Sequence, residues 1–234
     1  MKQIKITLFT LCIVAGLNYA QAQKLAAHWD KLMVAIRATT WTAGAGWNIV
    51  DDNGNPWHKN FDAAKSWNCP PYPTKASLEG YYKKGFSFLF NFTYNNYKDG
   101  KLINGETHNA TNFMAFDANT KYNFCELYDF NKLFGLGEKK IFDIYATGGL
   151  GYTYRHTNRV KGVATLNLGF GLNIWVYKNW GIQLESMSKF GLVSPFFKTP
   201  ANYLQYTFGV VYKFKLPEPS PEKRYHFNIP QKLN

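Results

Sequence analysis

Three cysteines in 234 residues are too few for a disulfide framework, and only Cys69 and Cys125 lie beyond residue 22. Acidic residues are also scarce: 15 Asp+Glu stand against 27 Lys+Arg, a formal net charge of +12. The basic excess suggests nucleic acid, but no compact basic run occurs. Beyond residue 22 no apolar stretch is long enough for a membrane helix, and the 3.6-residue period of amphipathic helices is hard to find. The glycines follow no three-residue period, which excludes a collagen-like chain. Zinc spacings such as His-x-Glu or paired Cys are missing. His58, His108 and His156 fall in separate loops with no Ser at a recognisable spacing, so neither catalysis nor a cofactor or metal is expected.

What is abundant is aromatic. Nineteen Phe, 16 Tyr and 7 Trp make 18% of the chain, as much as all charged residues together. Such density excludes disorder over most of the length. The mean hydropathy of −0.33 nevertheless argues against a helical membrane protein.

The first residues set the compartment. Lys2 and Lys5 precede an apolar run from Ile6 to Leu17, and Ala20-Gln21-Ala22 supplies a small–x–small cleavage pattern. A signal peptide over 1–22 is therefore expected. Cys12 follows Phe9-Thr10-Leu11 and lacks the small residues that lipidation needs. An exported chain meets no nucleic acid in its normal setting, so the positive charge fits an anionic membrane or polysaccharide surface better.

Alternation dominates the rest. Phe86, Phe88, Phe90, Phe92 and Tyr94 alternate with Ser87, Leu89, Asn91, Thr93 and Asn95. Leu166, Leu168, Phe170, Leu172 and Ile174 alternate with Asn167, Gly169, Gly171 and Asn173. Near the end Leu204, Tyr206, Phe208, Val210, Tyr212 and Phe214 form the apolar set. These are period-two strands with one apolar face. Eight such segments are predicted, at about 31–48, 74–83, 86–98, 113–126, 141–155, 161–177, 179–192 and 203–214. Lys84-Gly85, 127–140 and Lys178-Asn179 connect them at one end; 49–73, 99–112, 156–160 and 193–202 connect them at the other. Turns on one side and long loops on the other describe an all-β, eight-stranded antiparallel up-and-down transmembrane β-barrel, both termini periplasmic.

Alternation alone does not say which face points inward. Volume decides, because a face carrying four successive even-numbered Phe overfills an eight-stranded interior, whereas Gly149, Gly151, Gly169, Gly171 and Gly209 suit a narrow lumen. Trp47, Trp175, Trp180, Tyr94, Tyr154, Tyr177 and Tyr212 fall near strand ends, where interfacial girdles belong.

The stretches Phe142–Tyr152, Leu166–Trp175, Asn179–Ser186 and Leu204–Phe214 resemble the small OmpA-type porin barrels of Bacteroidota outer membranes, and the resemblance extends to about residue 214. Family members often continue into a peptidoglycan-binding domain; the 20 residues after Phe214 are too few for it, so peptidoglycan anchoring is not carried over. The expected organisation is a barrel over 23–214 and a Pro-rich periplasmic tail over 215–234.

If even positions face lipid, Arg37, Glu79, Asp117, Lys121, Asp143, Glu185 and Lys189 face the lumen. Isolated charges there are costly, so they should pair. Arg37 and Glu79 lie on adjacent predicted strands, as do Asp117 and Asp143; Lys121 can reach Asp117, and Lys189 can reach Glu185, along one strand. Such a network is a salt-bridged plug; the alternative, implied by the family resemblance for some barrels, is a gated ion path. Cys69 and Cys125 fall at opposite ends, beyond bridging distance.

The first long loop gathers Trp57, Phe61, Trp67 and Tyr72, a surface for protein or sugar contact or a lid packed on itself. In the tail, Pro217, Pro219 and Pro221 form an extended spacer, after which Tyr225, Phe227 and Ile229 alternate as if to add a strand to a partner. The expected function is a non-enzymatic accessory subunit of an envelope assembly, in contact with outer-membrane lipid, lipopolysaccharide and a protein partner. The alternatives are a narrow porin-like channel and a lipid-modifying enzyme.

Overall fold

The computed structural model describes residues 19–53, 62–107, 109–128, 130, 135, 141–156, 161–193 and 201–217. Most of the expected signal peptide, Trp57, Phe61 and the tail positions Tyr225, Phe227 and Ile229 lie outside the described residues.

Each alternating stretch contributes a long strand, and three two-residue strands form within the predicted loops. In chain order they are β1 (Thr40–Asp51), β2 (Trp67–Asn68), β3 (Lys75–Lys83), β4 (Phe86–Tyr97), β5 (Leu102–Ile103), β6 (Glu106–Thr107), β7 (Thr111–Asn123), β8 (Phe142–Arg155), β9 (Gly162–Tyr177), β10 (Trp180–Gly191) and β11 (Tyr203–Lys215). The long strands pair antiparallel in the order β1-β3-β4-β7-β8-β9-β10-β11, and β11 pairs with β1. It is a closed eight-stranded barrel. Closure removes the unpaired edges that an open sheet would present. The seam relies on small residues: a Cβ on Gly46 would stand 2.7 Å from the Phe208 carbonyl oxygen and 2.9 Å from the Gly209 Cα.

The turns follow from local chemistry. Lys84 and Gly85 both adopt positive φ, 50° and 80°, the mirror-image turn that matches strand twist. Asn104 and Gly105 do the same, at 53° and 79°, at the tip of the β5–β6 hairpin.

The first strand corrects the expectation. Residues 31–38 belong to a helix, α1 (Tyr19–Ala38), and the strand starts at Thr40. The segment Lys31-Leu-Met-Val-Ala-Ile-Arg-Ala38 is rich in good helix formers, and its short apparent alternation does not outweigh them. Contact geometry separates a unit of Thr40–Phe214 from a second one to which the described flanking residues 19–39 and 215–217 belong. Arg37 lies in the second unit, in the last turn of α1, where its Nη1 donates to the Pro217 carbonyl at 2.8 Å. It is therefore not on a strand of the barrel wall, where the predicted first strand put it.

The parity of β1 is also opposite to that of its neighbours. Trp41 pairs with Gly80 and Thr42 with Glu79, so even residues of β1 share a face with odd residues of β3. On the other long strands even residues face out. Phe88, Phe90, Phe116, Phe170 and Phe208 are each more than half exposed, whereas Asn91, Asp117, Asn167 and Gln183 on the other face are buried. Outward aromatics pair directly across strands, as Phe92 does with Phe116 (ring centroids 4.8 Å) and Phe86 with Tyr122 (4.6 Å). A polar interior inside an apolar wall is stable only if lipid surrounds the wall. Phe90→Arg is therefore expected to lower stability by about 2–4 kcal/mol, read as the urea midpoint in lipid vesicles; an unshifted midpoint would show that this face does not contact lipid.

Candidate functional site: the lumen and its loop-end mouth

The inward positions carry four buried ion pairs among the described residues: Asp52–Arg155, Asp117–Lys189, Glu185–Lys75 and Glu79–Lys121. Four cations meet four carboxylates, so this set is neutral.

In the middle of the barrel, Lys189 Nζ donates to both oxygens of Asp117 at 2.7 Å. Asn167 Nδ2 donates to Asp117 Oδ1 at 3.0 Å and to Asn119 Oδ1 at 3.1 Å. Gly151 makes the space: a Cβ there would collide with Asp117 and approach Asn167 and Thr165 at 2.8 Å. Glu185 takes Lys75 on Oε1 and the Tyr145 hydroxyl on Oε2 at 3.1 Å, and Gln183 Nε2 donates to that hydroxyl at 2.9 Å. Tyr145 reaches Glu185 by lying over Gly171, which separates them in the register. Lys121 Nζ donates to Glu79 Oε2 at 2.7 Å and sits 4.0 Å above the Tyr145 ring. Near the short-turn end Trp175 Nε1 donates to Asp143 Oδ2 at 2.6 Å, and Lys213 Nζ stands 3.9 Å from the indole centroid.

The loop end is closed differently. Asp52, just past β1, accepts from Arg155 Nε at 2.7 Å and the Tyr97 hydroxyl at 2.8 Å on Oδ2, and from the Asn104 backbone N–H at 3.1 Å on Oδ1. Burial pushes its carboxyl above the ordinary range, against the opposing pull of Arg155, Tyr97 and that N–H. The Arg155 guanidinium lies 4.5 Å from the Tyr203 ring centroid. Around it Val50, Tyr97, Phe113, Ala115 and Tyr203 form an apolar ring, and Ile103 of the β5–β6 hairpin completes the cluster with no exposed surface. An apolar patch lining a lumen is favourable only when water is excluded from it, and Ile103 does that.

Six of the seven predicted lumen charges lie on the barrel wall, but the expected pairings differ. Lys121 binds Glu79 rather than Asp117, Lys189 binds Asp117 rather than Glu185, and Asp143 bonds Trp175 far from Asp117. Inward residues four apart on one strand project in parallel about 13 Å from each other, whereas a narrow barrel brings opposite walls within one side-chain length. Lys75, Tyr97, Tyr145, Arg155 and Tyr203 were missed, though odd-number parity reaches each of them. Asp52 follows the strand and has no such signal. Of the loop aromatics, Trp67 is tied down, its Nε1 3.2 Å from Asp51 Oδ2 and its ring 5.6 Å from that of Tyr206, while Tyr72 is exposed. Cys69 follows β2 at the loop end, Cys125 follows β7 at the other, and burial raises the Cys69 thiol above its ordinary range.

No protein-family model matches the chain, and no curated protein matches it. Solved structures do. Outer membrane protein OprG from Pseudomonas aeruginosa is similar at 10% identity and a TM-score of 0.49, covering 77% of this chain and 98% of that one. The N-terminal β-barrel domain of Pseudomonas aeruginosa OprF gives 12% and 0.47, covering 75% and 97%. Neisserial surface protein A gives 12% and 0.46, with the same coverage. These neighbours are small outer-membrane barrels. At such identities they assign no residue and no activity.

Proposed function

We propose that this chain is a non-enzymatic outer-membrane barrel, of the kind found in Bacteroidota, whose lumen is a structural plug. In this reading it serves as an accessory subunit of an envelope assembly, with periplasmic termini and with lipopolysaccharide and lipid around its wall. One observation carries the reading: four lumen cations pair with four lumen carboxylates, and most of these groups are shielded from water. Lys189 and Arg155 are wholly buried, and Asp117, Glu185 and Lys75 are each 5% exposed. A filled lumen leaves the long loops, the connection after β7 and the tail as the parts able to meet a partner. Tyr72, Leu127 and Tyr128 already expose large apolar surface there. Mild detergent extraction is expected to recover a stoichiometric protein partner that is lost when residues 215–234 are deleted; a lone barrel in both cases would count against a subunit role.

A narrow channel is the second reading. It is favoured by inward polar atoms without hydrogen-bond partners, on Asn48, Asn91, Asn119, Thr147 and Asn173, which a hydrated lumen would satisfy. Planar-bilayer recordings separate the two. The plug predicts no unitary steps from the parent, Glu79→Ala or Glu185→Ala, and steps that change with either substitution would establish the channel.

A further inference from the structure

We propose that the β5–β6 hairpin is a releasable stopper that seals a vestibule at the loop end, with Ile103 as its seat and Asp52 as its latch. The hairpin has only two residue pairs, Leu102–Thr107 and Ile103–Glu106. A ladder that short has little stability of its own, so its position depends on what holds it. Its Asn104–Gly105 tip turns both backbone N–H groups toward Asp52: Asn104 N–H reaches Oδ1 at 3.1 Å and Gly105 N–H reaches the carbonyl at 3.3 Å. The strand leading in is tethered by Leu102 N–H to the Lys65 carbonyl at 2.9 Å, and by Lys101 Nζ to the carbonyls of Ala63 and Ala64. Every one of these ties is to a loop or to the residue just past β1, and none is to a ladder of the barrel wall. The hairpin can leave without breaking a strand pair.

What lies beneath it explains why it is there. Val50, Tyr97, Phe113, Ala115 and Tyr203 all come from barrel strands and all point inward, clustered on a face that elsewhere mixes Asn, Thr, Lys and Asp with single apolar residues such as Leu89, Met187 and Val211. Ile103 comes from outside the wall and, among the described residues, is the only loop member of the cluster. Immediately further along β7 is Asp117, whose partner Lys189 stands 5.6 Å from the Tyr203 ring centroid. The vestibule therefore ends at that ion pair. Two closures in series follow, an apolar stopper at the mouth and a polar plug beyond it. Withdrawal of the hairpin opens a dead-end chamber and not a pore.

Thiol labelling tests this with Ala115→Cys in a Cys69→Ser, Cys125→Ser background, in lipid nanodiscs, using a small water-soluble maleimide. Heat-modifiable electrophoretic mobility verifies folding of each variant. The thiol is expected to be nearly inert, and Ile103→Ser or Asp52→Asn is expected to accelerate its labelling about tenfold or more, as loss of a buried contact or charged hydrogen bond allows. Ile103→Ser keeps the test decisive if Asp52→Asn fails to fold. Equal labelling with and without the substitutions, fast or slow, overturns the stopper. The inference rests on the plug reading only for its dead end: faster labelling without conductance supports both. Faster labelling with new conductance keeps the stopper and removes the plug.

Discussion

Asp117→Ala is expected to cost about 3–5 kcal/mol, because it leaves the Lys189 ammonium buried without its carboxylate. The pair has no exposed side-chain surface on either partner, so solvent screening brings no relief. Asn167 Nδ2 would lose an acceptor in the same substitution. The double variant Asp117→Leu/Lys189→Met should recover most of the loss, since an apolar pair of similar volume removes the desolvation problem together with the attraction. Tryptophan fluorescence during urea unfolding in lipid vesicles measures both. A single substitution costing less than about 1 kcal/mol, the range of solvent-exposed pairs, would mean that water reaches Lys189 and that this level of the lumen is open.

The second large effect is steric. Gly171→Ala places a methyl group into the Tyr145 ring, with the Cε2 atom at 2.6 Å. The ring cannot step aside without abandoning Glu185 and Gln183, to which its hydroxyl is bonded. Overpacking of this kind costs about 1–3 kcal/mol, with the lost hydrogen bonds in addition. Tyr145→Ser opens the same space from the other side. The combined variant Gly171→Ala/Tyr145→Ser should therefore be more stable than the sum of the two single losses predicts, by roughly 1–3 kcal/mol of coupling. Strict additivity would show that Tyr145 does not cross Gly171 in the membrane.

The two predictions differ in how legible they were. Gly171 stood out in the sequence as a small inward residue between Phe170 and Leu172, and the need for small residues in a narrow lumen was evident. Its particular task was not, because Tyr145 is 26 positions away along the chain. Asp117 and Lys189 were both placed in the lumen from parity, yet the sequence offered Lys121 and Glu185 as their partners. Spacing along one strand is visible in a sequence; the width of a closed barrel is not. The β1 parity reversal has the same origin. Whether odd or even residues face inward is set by the count of residues in the connection before β3 and by which register closes the seam. The long 49–73 segment lets either parity form.

The mouth was the least legible part. Asp52 and Ile103 lie outside the eight predicted strands, in segments read only as loops, and an isolated isoleucine in a loop carries no pattern. The Asn104-Gly105 pair is a hairpin signal in its own right, but it lies within the 99–112 connection, where no flanking alternation marks a strand.

Some properties needed only the order of residues. Eight alternating stretches, each with one aromatic face and one face of Gly, Asn, Thr and charge, determine an apolar-outside barrel. That pattern has period two, and period two is a backbone property that every strand carries locally. It also explains an average hydropathy typical of soluble proteins beside so many aromatics, since the polar lumen half offsets the lipid half. What the tertiary structure alone decided is which charge meets which, where α1 gives way to β1, and what closes the mouth. Those outcomes depend on distances across the lumen and on register at the seam, and both exist only once the last strand has paired with the first.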